Sequence, residues 1–111
     1  MLTEEPITKN KTYPVFLKLE KLSLLLVGGG KAGLEKLQSI LGNSPEAGVT
    51  VVAPSIHPAI HQLAAEHPCC KIEKREFLVS DLEEKDLVVL ATNNPLLHQE
   101  IRLLANEKAV L

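Results

Sequence analysis

Gly28, Gly30 and Gly33 stand in a G-x-G-x-x-G spacing inside the stretch LSLLLVGGGKAG, which runs from Leu22 to Gly33. Glycines at this spacing, between an apolar strand and a helix, can hold a dinucleotide. The first lets the chain turn sharply off the strand, the second lets the backbone approach a pyrophosphate, and the third lets the helix pack close to the sheet. The diphosphate would lie on the helix N-terminus, where main-chain N–H groups and the positive end of the helix dipole favour an anion. The bend as a whole, Gly28, Gly29, Gly30, Lys31, Ala32 and Gly33, is therefore a candidate cofactor loop, with backbone contact expected from Lys31 and Ala32. The plainer alternative is a glycine turn that packs an α/β unit and holds nothing.

Two further loops carry polar groups that could face the same ligand. The usual fingerprint has an acidic residue about 20 positions after the glycines, holding a ribose hydroxyl. Here the second strand ends in Val52-Ala53-Pro54-Ser55, without a carboxylate. That leaves the Ser55 hydroxyl and the backbone around Pro54 to meet the ribose. Thr92 and Asn93 follow another apolar run and can bond a ribose or a nicotinamide amide, while Asn94 is better read as a helix cap. His57 and His61 share a helical face, and Cys69 and Cys70 are adjacent, but no neighbouring carboxylate or spaced thiolate completes a metal set. No metal site is expected. His98, near the start of the last helix, is expected to face solvent, and no Ser/His/Asp or Cys/His nucleophile arrangement is legible.

The elements that must position these groups follow from periodicity. Residues 1–12 read as a polar leader, and Tyr13 to Leu19 as a short extended segment with a turn at Glu20 and Lys21. Leu22–Val27, Val49–Ala53 and Leu87–Ala91 are apolar on both faces, as buried parallel strands are. Cys70–Lys74 is a weaker edge strand, and Ala109–Leu111 begins a fifth. Leu34, Leu37, Ile40 and Leu41 form one helical face; Ile56, Ile60, Leu63 and Ala64 form a second, with Ser55 as its candidate N-cap; Leu97, Ile101, Leu104 and Ala105 form a third, capped by Asn94 with Pro95 at its first position. Ser80-x-x-Glu83 fits a capping box for one short turn. The result is a single α/β domain over residues 13–111, a Rossmann-like doubly wound parallel sheet of order 3-2-1-4-5.

Bulk properties narrow the function. The chain has 111 residues, 45% hydrophobic and 23% charged, which suits one globular domain. A net charge of −2 gives no electrostatic case for nucleic acid or an anionic membrane, and 3% aromatic content leaves few platforms for stacking bases. With no membrane-length apolar run, no apolar signal-peptide core and only two cysteines, the reading is a cytoplasmic protein.

Four stretches in order, YPVFLKL from Tyr13 to Leu19, LLLVGGGKAGLEKL from Leu24 to Leu37, VTVVAP from Val49 to Pro54 and LATNN from Leu90 to Asn94, resemble the N-terminal domain of siroheme synthase, the precorrin-2 dehydrogenase and sirohydrochlorin ferrochelatase family. The resemblance covers nearly the whole chain from about Asn10. It implies NAD-dependent oxidation of precorrin-2 to sirohydrochlorin, with the tetrapyrrole as substrate. It also implies a dinucleotide site at Gly28 to Gly33, Pro54, Ser55, Thr92 and Asn93, and a strand-two end without an acid. Relatives often carry Ala where Gly33 stands. The family's key aspartate follows an Asn-Val-Val-Asp-like segment on the fifth strand, which would lie beyond Leu111, as would the dimerising and tetrapyrrole-binding regions. The resemblance thus makes this chain the cofactor-binding part of a longer homodimeric enzyme, inactive alone, with any ferrochelatase activity belonging to the full-length protein. A non-catalytic NAD(P)-sensing module, or a degenerate domain that only packs against partners, are the readings it competes with.

Overall fold

The computed structural model describes residues 18–107. After a 3-10 turn at Leu19–Lys21, strands and helices alternate: β1 (Ser23–Val27), α1 (Lys31–Asn43), β2 (Gly48–Ala53), α2 (Pro58–Glu66), β3 (Cys70–Lys74), a second 3-10 turn (Val79–Leu82), β4 (Leu87–Leu90) and α3 (Pro95–Glu107). All strand pairs are parallel, in the order β3-β2-β1-β4. This is a Rossmann-like α/β sheet of four strands, where five in the order 3-2-1-4-5 were expected. The expected fifth strand falls on residues outside those described, as do the leader and most of the extended segment before Leu19.

β1 and β2 lie at the centre because their side chains are apolar on both faces. Leu24, Leu26, Val49 and Val51 meet Leu37, Ile40 and Leu41 of α1 and Ile60 of α2. Leu25, Val27 and Val52 meet Leu82 and Ile101 on the opposite face. A strand covered on both sides has no face to give to water, so alternation disappears from its sequence. β3, with charge at Lys71, Glu73 and Lys74, forms one edge. Each large side chain withdrawn from water here stabilises the fold by roughly 1.5–3 kcal/mol before entropy is set against it.

Two local expectations are corrected. Ser55 does not cap α2: His57 does, its Nδ1 accepting from the Ala59 N–H at 3.0 Å. Pro58 occupies the first helical position, where its fixed φ and missing N–H cost nothing, and this moves the helix start past Ser55. The short turn before β4 does not use Ser80 and Glu83 as a capping pair. Asp81 instead accepts from the Leu78 N–H at 2.8 Å and takes a two-pronged bond from Arg75, at 2.9 and 2.6 Å. The guanidinium decides the register of the turn, because a nearly buried carboxylate must be paired.

The Arg75 hydrogen bonds, opposed by burial and aided by the Leu78 N–H, hold the Asp81 carboxyl below its usual range. A depressed folded-state pKa contributes stability that is complete above the unfolded carboxylate's value of about 3.9 and is lost as pH falls through the folded value. Asp81→Asn is therefore expected to unfold more easily in urea at pH 7, by about 1–3 kcal/mol. The gap from wild type should narrow progressively as pH falls below about 4; an unchanged gap in strong acid would contradict the ion-pair account.

Candidate functional site

The site forms where β1 ends and the chain must turn between two neighbouring strands. Gly28 takes φ +137°, a conformation side-chain-bearing residues rarely adopt. Its N–H donates to the Val52 carbonyl at 3.1 Å, while the Ala91 N–H donates to the Val27 carbonyl at 2.8 Å. A Cβ on Gly28 would strike the Ala91 carbonyl, and one on Gly33 would strike the Gly28 carbonyl. These contacts fit the expected roles of the first and third glycines. Gly29, which the spacing left free, is equally constrained. A Cβ there would strike the Ser55 carbonyl, and the Gly29 carbonyl accepts from the His57 N–H at 2.7 Å, tying the glycine bend to the loop after β2.

Gly30 differs. Its backbone, at φ −94° and ψ −153°, is extended, and a Cβ there would meet no protein atom within 4 Å. The fold itself has no need of glycine at this position. Gly30 is also the N-cap of α1, so the helix begins without a side-chain cap, and its first turn holds no acidic residue. α2 and α3 are capped, by His57 and by Asn94, whose Oδ1 accepts from the Leu97 N–H at 3.1 Å. In α1 the first helical bond runs from the Leu34 N–H to the Gly30 carbonyl at 2.9 Å. The preceding amides are the ones a helix leaves to solvent or to an anion.

These amides open on a cleft of about 610 Å³ at the carboxyl ends of β1, β2 and β4. Nine of the ten expected residues line it: Gly28, Gly29, Gly30, Lys31, Ala32, Pro54, Ser55, Thr92 and Asn93. Gly33 lies beneath, buried, and acts by letting α1 close on the bend. The expectation did not include Glu35, Ala53 or Ala91, which also line the cleft. Glu35 stands one helical turn after Lys31, and that spacing was the signal available for it. A second cavity of about 330 Å³ shares Gly28, Ala53, Pro54 and Thr92 with the first and is closed by Glu76, Phe77, Asn94 and Leu97.

His98 does not face solvent as expected. It is half-buried, with Nε2 2.6 Å from the Thr92 hydroxyl, because the first turn of α3 folds back over the loop that follows β4. The His67 ring bonds the Leu63 carbonyl at 2.8 Å, Cys70 is buried, which pushes its thiol pKa up, and His61 and Cys69 are exposed. Among the described residues no group of three His, Cys, Asp or Glu side chains is placed to hold a metal ion.

A family model described as "Putative NAD(P)-binding" matches residues 15–111. The chain is 33% identical over 88 residues to precorrin-2 dehydrogenase of Bacillus subtilis (strain 168), covering 79% of this chain and 52% of that protein. It is 36% identical over 98 residues to siroheme synthase of Psychromonas ingrahamii, covering 88% of this chain and 20% of that one. Among solved structures, the precorrin-2 dehydrogenase SirC superposes with a TM-score of 0.72 at 27% identity, over 82% of this chain and 44% of SirC. The chain thus spans about half the length of the dehydrogenases it matches and about a fifth of the siroheme synthase.

Alanine substitution separates the glycines by role. Gly28→Ala, Gly29→Ala and Gly33→Ala each force side chain onto backbone and are expected to cost about 1–3 kcal/mol or more in thermal or urea unfolding. Gly30→Ala should leave the melting temperature unchanged or slightly raised. A large loss at Gly30 would mean that the fold, and not a ligand, requires it.

Proposed function

This chain belongs to the NAD(P)-binding family of siroheme synthase N-terminal domains, and from that premise we propose that it is the dinucleotide-binding part of a precorrin-2 dehydrogenase, with NAD as cofactor. The observation that carries the reading is Gly30. Three glycines of the bend are accounted for by contacts within the protein, and the fourth keeps a space open in front of uncapped helix amides. A diphosphate fits that space chemically, since main-chain N–H groups donate to phosphate oxygens and the helix dipole favours their charge.

In this proposal the amides of Lys31 and Ala32 hold the diphosphate, while the Lys31 side chain adds positive charge at the cleft wall. Pro54 and Ser55 meet the adenosine ribose. Thr92 and Asn93, on the loop after β4, meet the nicotinamide half. When bound, NAD⁺ supplies the acceptor for the hydride removed from precorrin-2. The chain's own contribution is orientation: groups fixed to the ends of a rigid sheet hold the cofactor's reactive end in one place. The carboxylate of Glu35 in the cleft wall, with Lys31 as the one cation lining it among the described residues, favours NAD over NADP, whose extra phosphate would add negative charge there. Homodimerisation and a cytoplasmic location belong to the same proposal for the whole protein; among the described residues no helix is long and apolar enough to cross a membrane.

Calorimetric titration tests this reading. NAD⁺ is expected to bind, and NADP⁺ to bind about tenfold more weakly, a difference of about 1.4 kcal/mol. Glu35→Gln should narrow that difference. Gly30→Asp should remain folded and lose measurable binding, because its carboxylate enters the space meant for phosphate. A folded wild type that ignores millimolar NAD⁺, or a Gly30→Asp variant of unchanged affinity, would remove the basis for the proposal.

A further inference from the structure

The Thr92–His98 pair lies at the edge of the cleft, and the dinucleotide reading gives His98 nothing to do. His98 lines neither cavity, yet its Nε2 is 3.3 Å from the Thr92 backbone nitrogen and 2.6 Å from the Thr92 hydroxyl oxygen. We infer that His98 is a positioning residue that fixes the Thr92 hydroxyl as a hydrogen-bond acceptor toward the cleft, so that the loop after β4 takes a ligand O–H or N–H group and rejects phosphate or carboxylate oxygen. The inference rests on the dinucleotide reading of the cleft.

The polarity follows from counting donors. A backbone N–H can only donate, so the Thr92 amide needs a lone pair on Nε2, and the proton of the neutral ring then sits on Nδ1. With Nε2 an acceptor, the hydroxyl 2.6 Å away must give its own hydrogen to the ring, sharing the one lone pair with the amide, whose 3.3 Å contact is the longer branch of a bifurcated bond. On its other side the hydroxyl oxygen accepts from the Asn94 N–H at 3.2 Å. A hydroxyl has one hydrogen and two lone pairs, so a single lone pair is left. Thr92 lines both cavities, and that lone pair is what its hydroxyl can offer there. A ribose hydroxyl or a carboxamide N–H satisfies it; an anionic oxygen repels it. The opposite tautomer would strand the Thr92 amide and turn the hydroxyl into a donor.

At the first turn of α1 the cleft presents main-chain donors, and at Thr92 it presents an acceptor.

Two measurements on the full chain test this. Long-range ¹H–¹⁵N correlation at pH 8 should find His98 as the Nδ1–H tautomer; the Nε2–H tautomer would overturn the assignment. In NAD⁺ titrations, His98→Leu, of similar bulk but without an acceptor, should bind about tenfold more weakly, the loss of one fixed hydrogen-bonding group. His98→Gln, whose amide oxygen can take the place of Nε2, should stay within about threefold of wild type, a rescue that mere space filling does not provide. If wild type binds NAD⁺ and His98→Leu binds it equally well, the role of His98 fails while the cofactor reading stands. If wild type does not bind NAD⁺ at all, the cofactor reading fails and takes this assignment with it.

Discussion

The close approach of α1 to the bend after β1 is the constraint on which the site depends. Gly33 rests on the Gly28 carbonyl, Gly28 rests on the Ala91 carbonyl, and Gly29 rests on the Ser55 carbonyl. Each contact is main chain against main chain, with no room for a methyl group. Because the bend is wedged between the ends of β2 and β4, the first turn of α1 is held at the carboxyl edge of the sheet. Its free amides therefore have a direction. A helix that started one residue later, or stood a little further from the sheet, would present the same groups to bulk water.

A site assembled this way is almost entirely backbone. Its donors come from the start of a helix and its shape from the absence of side chains, so little of it titrates and little of it can reorient. The side chains that do border it, Lys31, Glu35, Ser55, Thr92 and Asn93, sit at the ends of three different elements. They meet because parallel strands all deliver their carboxyl ends to the same edge. The proposed function has the same division of labour: a dinucleotide would carry the redox chemistry, and the protein would supply position.

Much of the architecture was legible because it follows from local pattern. Strands apolar on both faces announce a sheet covered on both sides, and the expected Leu22–Val27, Val49–Ala53 and Leu87–Ala91 each match β1, β2 and β4 to within one residue at one end. Asn94 caps α3 and Pro95 opens it, as their chemistry requires. The errors share a cause. Ser55 and Ser80 are good caps by residue type, but His57 with Pro58, and Asp81 with Arg75, won those positions through partners the local pattern does not rank. Side-chain pairing six residues apart, across a turn, has no periodicity to betray it.

By itself the sequence determined the alternation of strands and helices, the glycine bend and the loops that would meet at one edge, since hydrophobic period, glycine spacing and turn residues are properties of short stretches. Tertiary structure alone decided which glycines the fold needs and which one leaves a space, and that His98 turns inward to Thr92. Those outcomes depend on distances between segments far apart in the chain, or on the direction a loop takes as it leaves the sheet. Such distances exist only after the core of β1, β2 and their covering helices has closed.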